Sequence, residues 1–415
     1  MDREIITYRV IADNEPGDAP VSSCRKHIAL LCGGQVRMHG KDSLTKAMLR
    51  VAFLSLALLF VSCGKEQEPD IVTRVLLVYL GGDNSLSGES NEKLEAIKQG
   101  YDGRYGTKVL VYHDMRNSAP RLLEISGNTT AVPLREYEAE NSADPTVFRR
   151  VVAEAKAMYP GAVFNLLVFS HASGWLPAGM LINPRSAVQP RSVITDGSNE
   201  MELVDFAGAI PDGAFRHIIF ETCFMAGVEV AYQLRDKAEY VLASSAEIVS
   251  PGFTDIYRQH TNELVYGDPV KFIQAAFDYF DKQEGYMRSA TFSVIKTDAL
   301  DVLADYIRKN CNSEKEINAM DIQHFDRSSY RLFSDFGEYY TGLLETEMQK
   351  EYLLRLIGGC VVWKASTPSF MDGYNGFTIR KHSGMTAYIV QERFPALNEA
   401  YRRLDWYKAI TVDKE

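Results

Sequence analysis

The chain has 415 residues, 46% of them hydrophobic and 24% charged. This composition excludes a disordered polymer and allows one large domain or two. A net charge of −10, from 45 basic and 55 acidic residues, argues against a nucleic-acid partner, and six cysteines are too few for a disulfide scaffold.

Residues 1–47 are polar and show no periodicity despite Cys24 and Cys32. They are expected to be a non-native or disordered extension, with the true start at Met48 or Met38. Residues 48–63 form an export-signal pattern, in which Lys46 and Arg50 precede the apolar run Val51 to Val61. That run is too short to cross a bilayer, which needs about 20 residues. It ends in Ser62-Cys63-Gly64, which resembles a bacterial lipobox, so Cys63 is the expected lipidation site. Residues 64–72 then read as a polar tether. The expectation is an exported lipoprotein, on the outer membrane or cell surface, with a lipid anchor as its membrane contact.

From Thr73 the pattern becomes regular. Thr73 to Leu80, Lys108 to Asp114, Asn165 to Ser170, His217 to Glu221 and Glu239 to Ser244 are short runs, apolar on both alternating faces. Strands of a parallel sheet covered on both sides read this way. Helical patterns span Thr146 to Met158, Glu202 to Ile210 and Met225 to Leu234, which predicts an α/β fold with helices on both faces of a mostly parallel sheet. Residues 73–285 are assigned to this domain, and 286–415 to a C-terminal α+β extension packed on it. Further on, helices are expected at Val270 to Gln283, Asp298 to Asn310 with Asp298 as N-cap, Thr341 to Leu356 and Leu397 to Ile410. A strand is expected at Ala290 to Thr297. Leu176 to Asn199, rich in Pro, Ser and Gly, reads as a long surface loop.

Ligands of open parallel sheets bind beyond the carboxyl ends of the strands. The third strand runs into His171, and the fourth into Cys223, 52 residues later. Singly, Cys223 reads as a small buried hydrophobe and His171 as a structural histidine. Following successive strands, they form a nucleophile and base pair, because a thiol near its ordinary pKa needs a base or a positive environment. The helix expected after Cys223 would favour thiolate. The backbone N–H groups of Ala172 and Cys223 are the expected oxyanion hole. Asp83 and Asn84 end the first strand at the same edge and are candidate substrate contacts. Asp255, after a Pro-Gly turn, is a third. His113-Asp114 does not make a dyad, since neighbours on a strand point to opposite faces. No HExxH, paired CxxC or EF-hand spacing is present, so no metal is expected.

These residues resemble the clostripain family of cysteine peptidases, relatives of caspases, gingipains and legumain. The resemblance rests on VLLVYLGGDNSL, NLLVFSHASGW, IIFETCFMAGVEVAYQL and VLASSAEIVSPG, together spanning about Thr73 to Asp255. LNEAYRRLDWYKAI near the C-terminus resembles the ending of secreted Bacteroidetes members. It implies a caspase-like fold, His171 as catalytic histidine and Cys223 as nucleophile. It also implies cleavage of peptides and proteins after Arg or Lys, read by the acid two positions before the cysteine. Here that acid is Glu221 in place of the usual Asp, and Ala172 replaces the Gly after the histidine. Activation by cleavage, at Arg185 or Arg191, and calcium stimulation known in some relatives follow from the resemblance alone, and no cofactor is expected. Two rival readings remain: a catalytically decayed surface-binding lipoprotein on the same scaffold, and a transamidase sharing the acyl-enzyme.

Overall fold

The computed structural model describes residues 71–127, 129–177, 180–181, 184, 193–311 and 315–411. Residues 1–70, and with them the expected start, signal, Cys63 and nearly all of the tether, lie outside the described residues, as do Arg185 and Arg191.

In chain order the first elements are β1 (Arg74–Gly82), α1 (Ser87–Gly100), β2 (Thr107–Met115), β3 (Arg121–Ser126), β4 (Thr130–Glu136), α2 (Pro145–Met158) and β5 (Val163–Phe169). Then come β6 (Ile194–Asp196), β7 (Asn199–Met201), α3 (Leu203–Ala209), β8 (Phe215–Glu221), α4 (Val228–Gln233), β9 (Ala238–Ser244), α5 (Thr254–Val265) and α6 (Pro269–Asp281). The last part holds β10 (Thr291–Lys296), α7 (Leu300–Asn310), β11 (Ser334–Asp335), α8 (Phe336–Gly342), α9 (Glu347–Cys360) and β12 (Val361–Ser366). It ends with β13 (Ser369–Phe370), β14 (Phe377–Thr378), β15 (Thr386–Ala387), α10 (Pro395–Arg403) and α11 (Asp405–Ile410).

Nine strands form one sheet in the order β12-β10-β9-β8-β5-β1-β2-β3-β4. The five central strands, β9, β8, β5, β1 and β2, are parallel, while β10, β12, β3 and β4 add antiparallel pairings at the two ends. Alternation along β1 divides the core into two layers. Val75, Leu77 and Tyr79 join one layer with Phe148 of α2, Phe206 of α3 and Val230 of α4. Leu76, Val78 and Leu80 join the other with Ile97 of α1, Tyr257 of α5 and Phe272 of α6. A mostly parallel sheet covered on both faces is thus the observed architecture, as the apolar runs predict. Two strands from beyond residue 285, β10 and β12, extend the same sheet.

Several elements depart from the sequence pattern for local reasons. α1 was not expected, because its buried face carries Ser90 and Lys93 beside Leu94, Ala96 and Ile97 and so shows no continuous apolar stripe. β4 is an exposed edge strand holding Pro133, a residue such edges tolerate. Asp298 does not cap α7. Ala299 takes that position and Asp298 pairs with Lys296 at 2.7 Å. The span Thr341 to Leu356 is broken, since α8 ends at Gly342 and α9 restarts behind a capping box of Thr346 and Gln349. Leu397 to Ile410 is likewise two helices, separated where Leu404 turns extended. Within the long loop Leu176 to Asn199 lies β6, which pairs with β7.

α1 and α5 pack so closely that a Cβ on Gly100 would lie 1.9 Å from the Tyr257 carbonyl oxygen. Gly100→Ala is therefore expected to destabilise the protein by about 1–3 kcal/mol, the cost of overpacking. A urea titration should show a lower midpoint at unchanged slope. An unchanged midpoint would mean that the two helices separate freely.

Candidate active site

The chain runs from β1 to β2 on one side and returns to place β5 on the other side of β1, so a switch point lies at the carboxyl ends of β1 and β5. β5 and β8 are parallel neighbours whose last registered pair is Phe169 opposite Glu221. His171 and Cys223 each follow two residues later, on chains leaving the sheet side by side. Both are half-buried.

The histidine loop is anchored from three directions. The Ser170 hydroxyl accepts from the Thr195 N–H at 2.9 Å and donates to the Gly81 carbonyl at 3.2 Å, and the Thr195 hydroxyl donates to the His171 carbonyl at 3.2 Å. The Ser85 hydroxyl lies 2.9 Å from His171 Nε2. Trp175 packs against Tyr388 and Tyr401, with ring centroids 5.1 and 5.2 Å away. Ala172 is buried and is not among the left-handed residues, so its methyl group meets no backbone strain. The left-handed residue of this loop is Gly174, at φ 67°. A Cβ on Gly174 would come within 2.7 Å of the Phe224 carbonyl, which shows how closely the histidine and cysteine loops touch.

The cysteine loop is held in a turn, which corrects the helix expected from Met225. Phe224, immediately after Cys223, has φ 64° and stacks on Phe333 at 4.4 Å. Its N–H donates to the Ala246 carbonyl, the Ala226 N–H donates to the Ser244 carbonyl, and the Thr386 N–H donates to the Ala226 carbonyl, each at 3.0 Å. These bonds carry the backbone along β9 and over to β15, and α4 starts only at Val228. Cys223 is therefore not at a helix N-terminus.

The expected substrate-binding residues divide. Asn84 is a turn former: its side-chain amide donates to the Thr195 carbonyl at 2.9 Å and its oxygen accepts the Leu86 N–H at 2.8 Å. Asp255 lies in the first turn of α5, paired with Arg258 and accepting the Tyr279 hydroxyl. Asp83 is half-buried at the edge, and its carbonyl accepts the Gly197 N–H at 2.8 Å. Near it, burial pushes the Asp114 carboxyl up to about 7, opposed by Ser142 and reinforced by the charges of Asp196 and Asp83. His113 is driven the other way, to about 4, by burial and by Arg121, and is neutral at pH 7.

Glu221 departs furthest from expectation. An open carboxylate was expected, but its side chain is 1% exposed and accepts the Lys93 ammonium at 2.7 Å. It also accepts the Phe253 N–H and the Tyr257 hydroxyl, each at 2.5 Å. Burial pushes its carboxyl up, while Lys93 and these two donors work against that rise. Around the site stand further residues that the sequence pattern does not mark: Ser85, Lys93, Thr195, Phe224 and Glu229. Ser85 directly follows Asp83-Asn84 at a strand end, a signal that was available. A lysine inside a polar helix gives none.

A family model described as the clostripain family matches residues 78–378. Among solved structures, an inactive zymogen of a C11 protease from Parabacteroides distasonis is 29% identical, with a TM-score of 0.72 over 81% of this chain and 98% of that one. A secreted C11 cysteine protease from Bacteroides thetaiotaomicron, in complex with an irreversible peptide inhibitor, is 25% identical, with a TM-score of 0.70 over 81% of this chain and 98% of that one. No curated protein matches the chain in sequence.

Behind the cysteine loop, burial pushes the Glu229 carboxyl up to about 7. One of its oxygens accepts the Tyr388 N–H at 2.8 Å, and the other is buried with no hydrogen-bond partner among the described residues. Below the ordinary glutamate value of 4.5 the carboxyl is protonated whether folded or unfolded. Between that value and about 7 only the folded chain keeps the proton, so this contribution to stability is lost as pH rises through about 7. Glu229→Gln removes the titration. Urea titrations should show the variant gaining on the wild type by on the order of 1–3 kcal/mol between about pH 5 and 8. A difference independent of pH would refute a neutral Glu229.

Proposed function

Since the chain belongs to the clostripain family, we propose that it is a cysteine endopeptidase in which Cys223 is the nucleophile and His171 its general base and acid. The observation that carries this reading is the parallel register of β5 and β8, which brings the two residues past one edge side by side. His171 takes the thiol proton as Cys223 Sγ attacks the scissile carbonyl. The developing oxyanion is met by the N–H groups of Ala172 and Cys223. The tetrahedral intermediate collapses to a thioester as His171 delivers the proton to the leaving amine. Water, deprotonated by the same imidazole, then hydrolyses the acyl-enzyme and restores the thiol.

Preference for Arg or Lys at P1 is the finer part of this reading. Of the acids expected to serve it, Glu221 is held by Lys93 and Asp255 by Arg258, whereas Asp83 has no cation in contact among the described residues. Exported, membrane-anchored placement through a lipid on Cys63 belongs to the same reading. The similar Bacteroides protein is described as secreted, and among the described residues no helix is long and apolar enough to cross a membrane. Processing at Arg185 or Arg191 is proposed by analogy with the zymogen relative.

Fluorogenic peptides with Arg, Lys, Ala or Asp at P1 test the activity, before and after limited trypsin treatment. Turnover of the Arg and Lys peptides is expected to fall at least about a thousandfold in Cys223→Ala. In parallel, iodoacetamide should label Cys223 far faster than Cys311 and Cys360, whose thiols burial pushes up to about 12. A folded protein that turns over no peptide and labels Cys223 no faster than the other two would leave the non-catalytic scaffold as the correct reading.

A further inference from the structure

Lys93 belongs to α1 and points through the layer between α1, α5 and the sheet, where its side chain is fully buried. An ammonium has three N–H donors, and all of them are used here. One goes to Glu221 Oε1 at 2.7 Å, one to the Pro251 carbonyl at 2.9 Å and one to the Thr254 hydroxyl at 3.0 Å. The Phe169 ring lies 4.5 Å away and adds a cation–π contact. The carboxylate is equally complete, with Lys93, the Phe253 N–H and the Tyr257 hydroxyl as donors. Gly252 closes the pair from the α5 side. Its φ is +61°, and a Cβ there would come within 2.2 Å of Glu221 Oε1 and 3.2 Å of Lys93 Nζ. The backbone therefore passes too close for any side chain and closes the pair on that side.

The next acid near the nucleophile is treated alike. Glu247, just beyond β9, meets Arg327 Nε at 3.0 Å. Both carboxylates beside the cysteine loop thus face a cation of the protein's own. A substrate guanidinium or ammonium entering beside Cys223 would find no net negative charge at position 221.

We propose that Lys93 is a specificity-determining residue: it is the resident cation of Glu221, and its presence prevents position 221 from selecting basic P1 side chains by charge. The proposal rests on the peptidase reading above. It makes Glu221 a structural tie between β8 and the turn into α5, and assigns any preference for Arg or Lys to other acids at the edge. Lys93, rather than the acid itself, then decides whether the position before the nucleophile reads charge.

The test compares kcat/KM for matched peptides with Arg or norleucine at P1, using the full-length chain. The double variant Lys93→Met/Glu221→Gln replaces the pair with neutral groups of similar volume, which buried pairs commonly tolerate. Its Arg-to-norleucine ratio should stay within about threefold of the wild-type ratio, since an internally cancelled charge and no charge select equally. In Lys93→Met alone, a released carboxylate should raise the ratio about tenfold or more, the effect of a new charge-assisted hydrogen bond. That single variant leaves a buried unpaired acid and is open to misfolding, so the double variant decides. A fall of about tenfold or more in its ratio, in a protein that melts as the wild type does, would show that Glu221 reads the P1 charge despite Lys93 and would overturn the proposal. Failure of the peptidase reading is separately visible: no peptide is turned over and Cys223 is not preferentially labelled, which removes the proposal together with its premise.

Discussion

One register organises the site. β5 and β8 lie parallel with Phe169 opposite Glu221, and whatever follows each strand emerges at the same edge, one strand spacing apart. Backbone hydrogen bonding of the sheet thus delivers His171 and Cys223 to the same edge, although they are 52 residues apart in the chain. The surrounding contacts hold the two emerging loops once the sheet has aimed them. Ser170 and Thr195 tie the histidine loop to β6, and Trp175 locks it against Tyr388 and Tyr401 from the C-terminal region. Phe224 and Phe333 pin the turn after Cys223. Residues beyond 330 thus support the loops that carry His171 and Cys223.

Charge is handled differently on the two sides of that edge. On the α1 and α5 side, Glu221 is neutralised by Lys93 in a layer that is otherwise apolar. Desolvating two ions is costly, and such a pair persists only when hydrogen bonds satisfy the remaining donors and acceptors, as the Pro251, Thr254, Phe253 and Tyr257 contacts do here. On the α2 side, Asp83, Asp114 and Asp196 gather with Ser142 among them, and their mutual repulsion adds to burial in raising the Asp114 carboxyl. Behind the cysteine loop, burial pushes the Glu229 carboxyl up to about 7. The sheet thus carries a cancelled charge on one side, a concentrated one on the other and a carboxyl with a raised pKa behind the cysteine loop.

The strands were legible because burial on both faces demands continuous apolar runs, and VLLVYL, NLLVF and HIIFE have no other stable use in a chain of this composition. Elements whose buried face is polar were not legible. α1 carries Lys93 and Ser90 inward and shows no helical apolar stripe, and β4 is an edge strand that leaves most of its residues exposed. Helix ends differ where a competing partner takes the capping side chain, as with Asp298, which pairs with Lys296 instead of capping α7.

The sequence by itself determined the α/β architecture and placed a histidine and a cysteine after neighbouring strands. It could do so because strand periodicity and strand-end chemistry are local properties of a few consecutive residues. Only the tertiary structure decided the state of Glu221. Its partner lies 128 positions away on a helix with no recognisable pattern. Whether a carboxylate is open or cancelled depends on which cation the fold brings within hydrogen-bonding distance, and neither residue's neighbours in the chain record that.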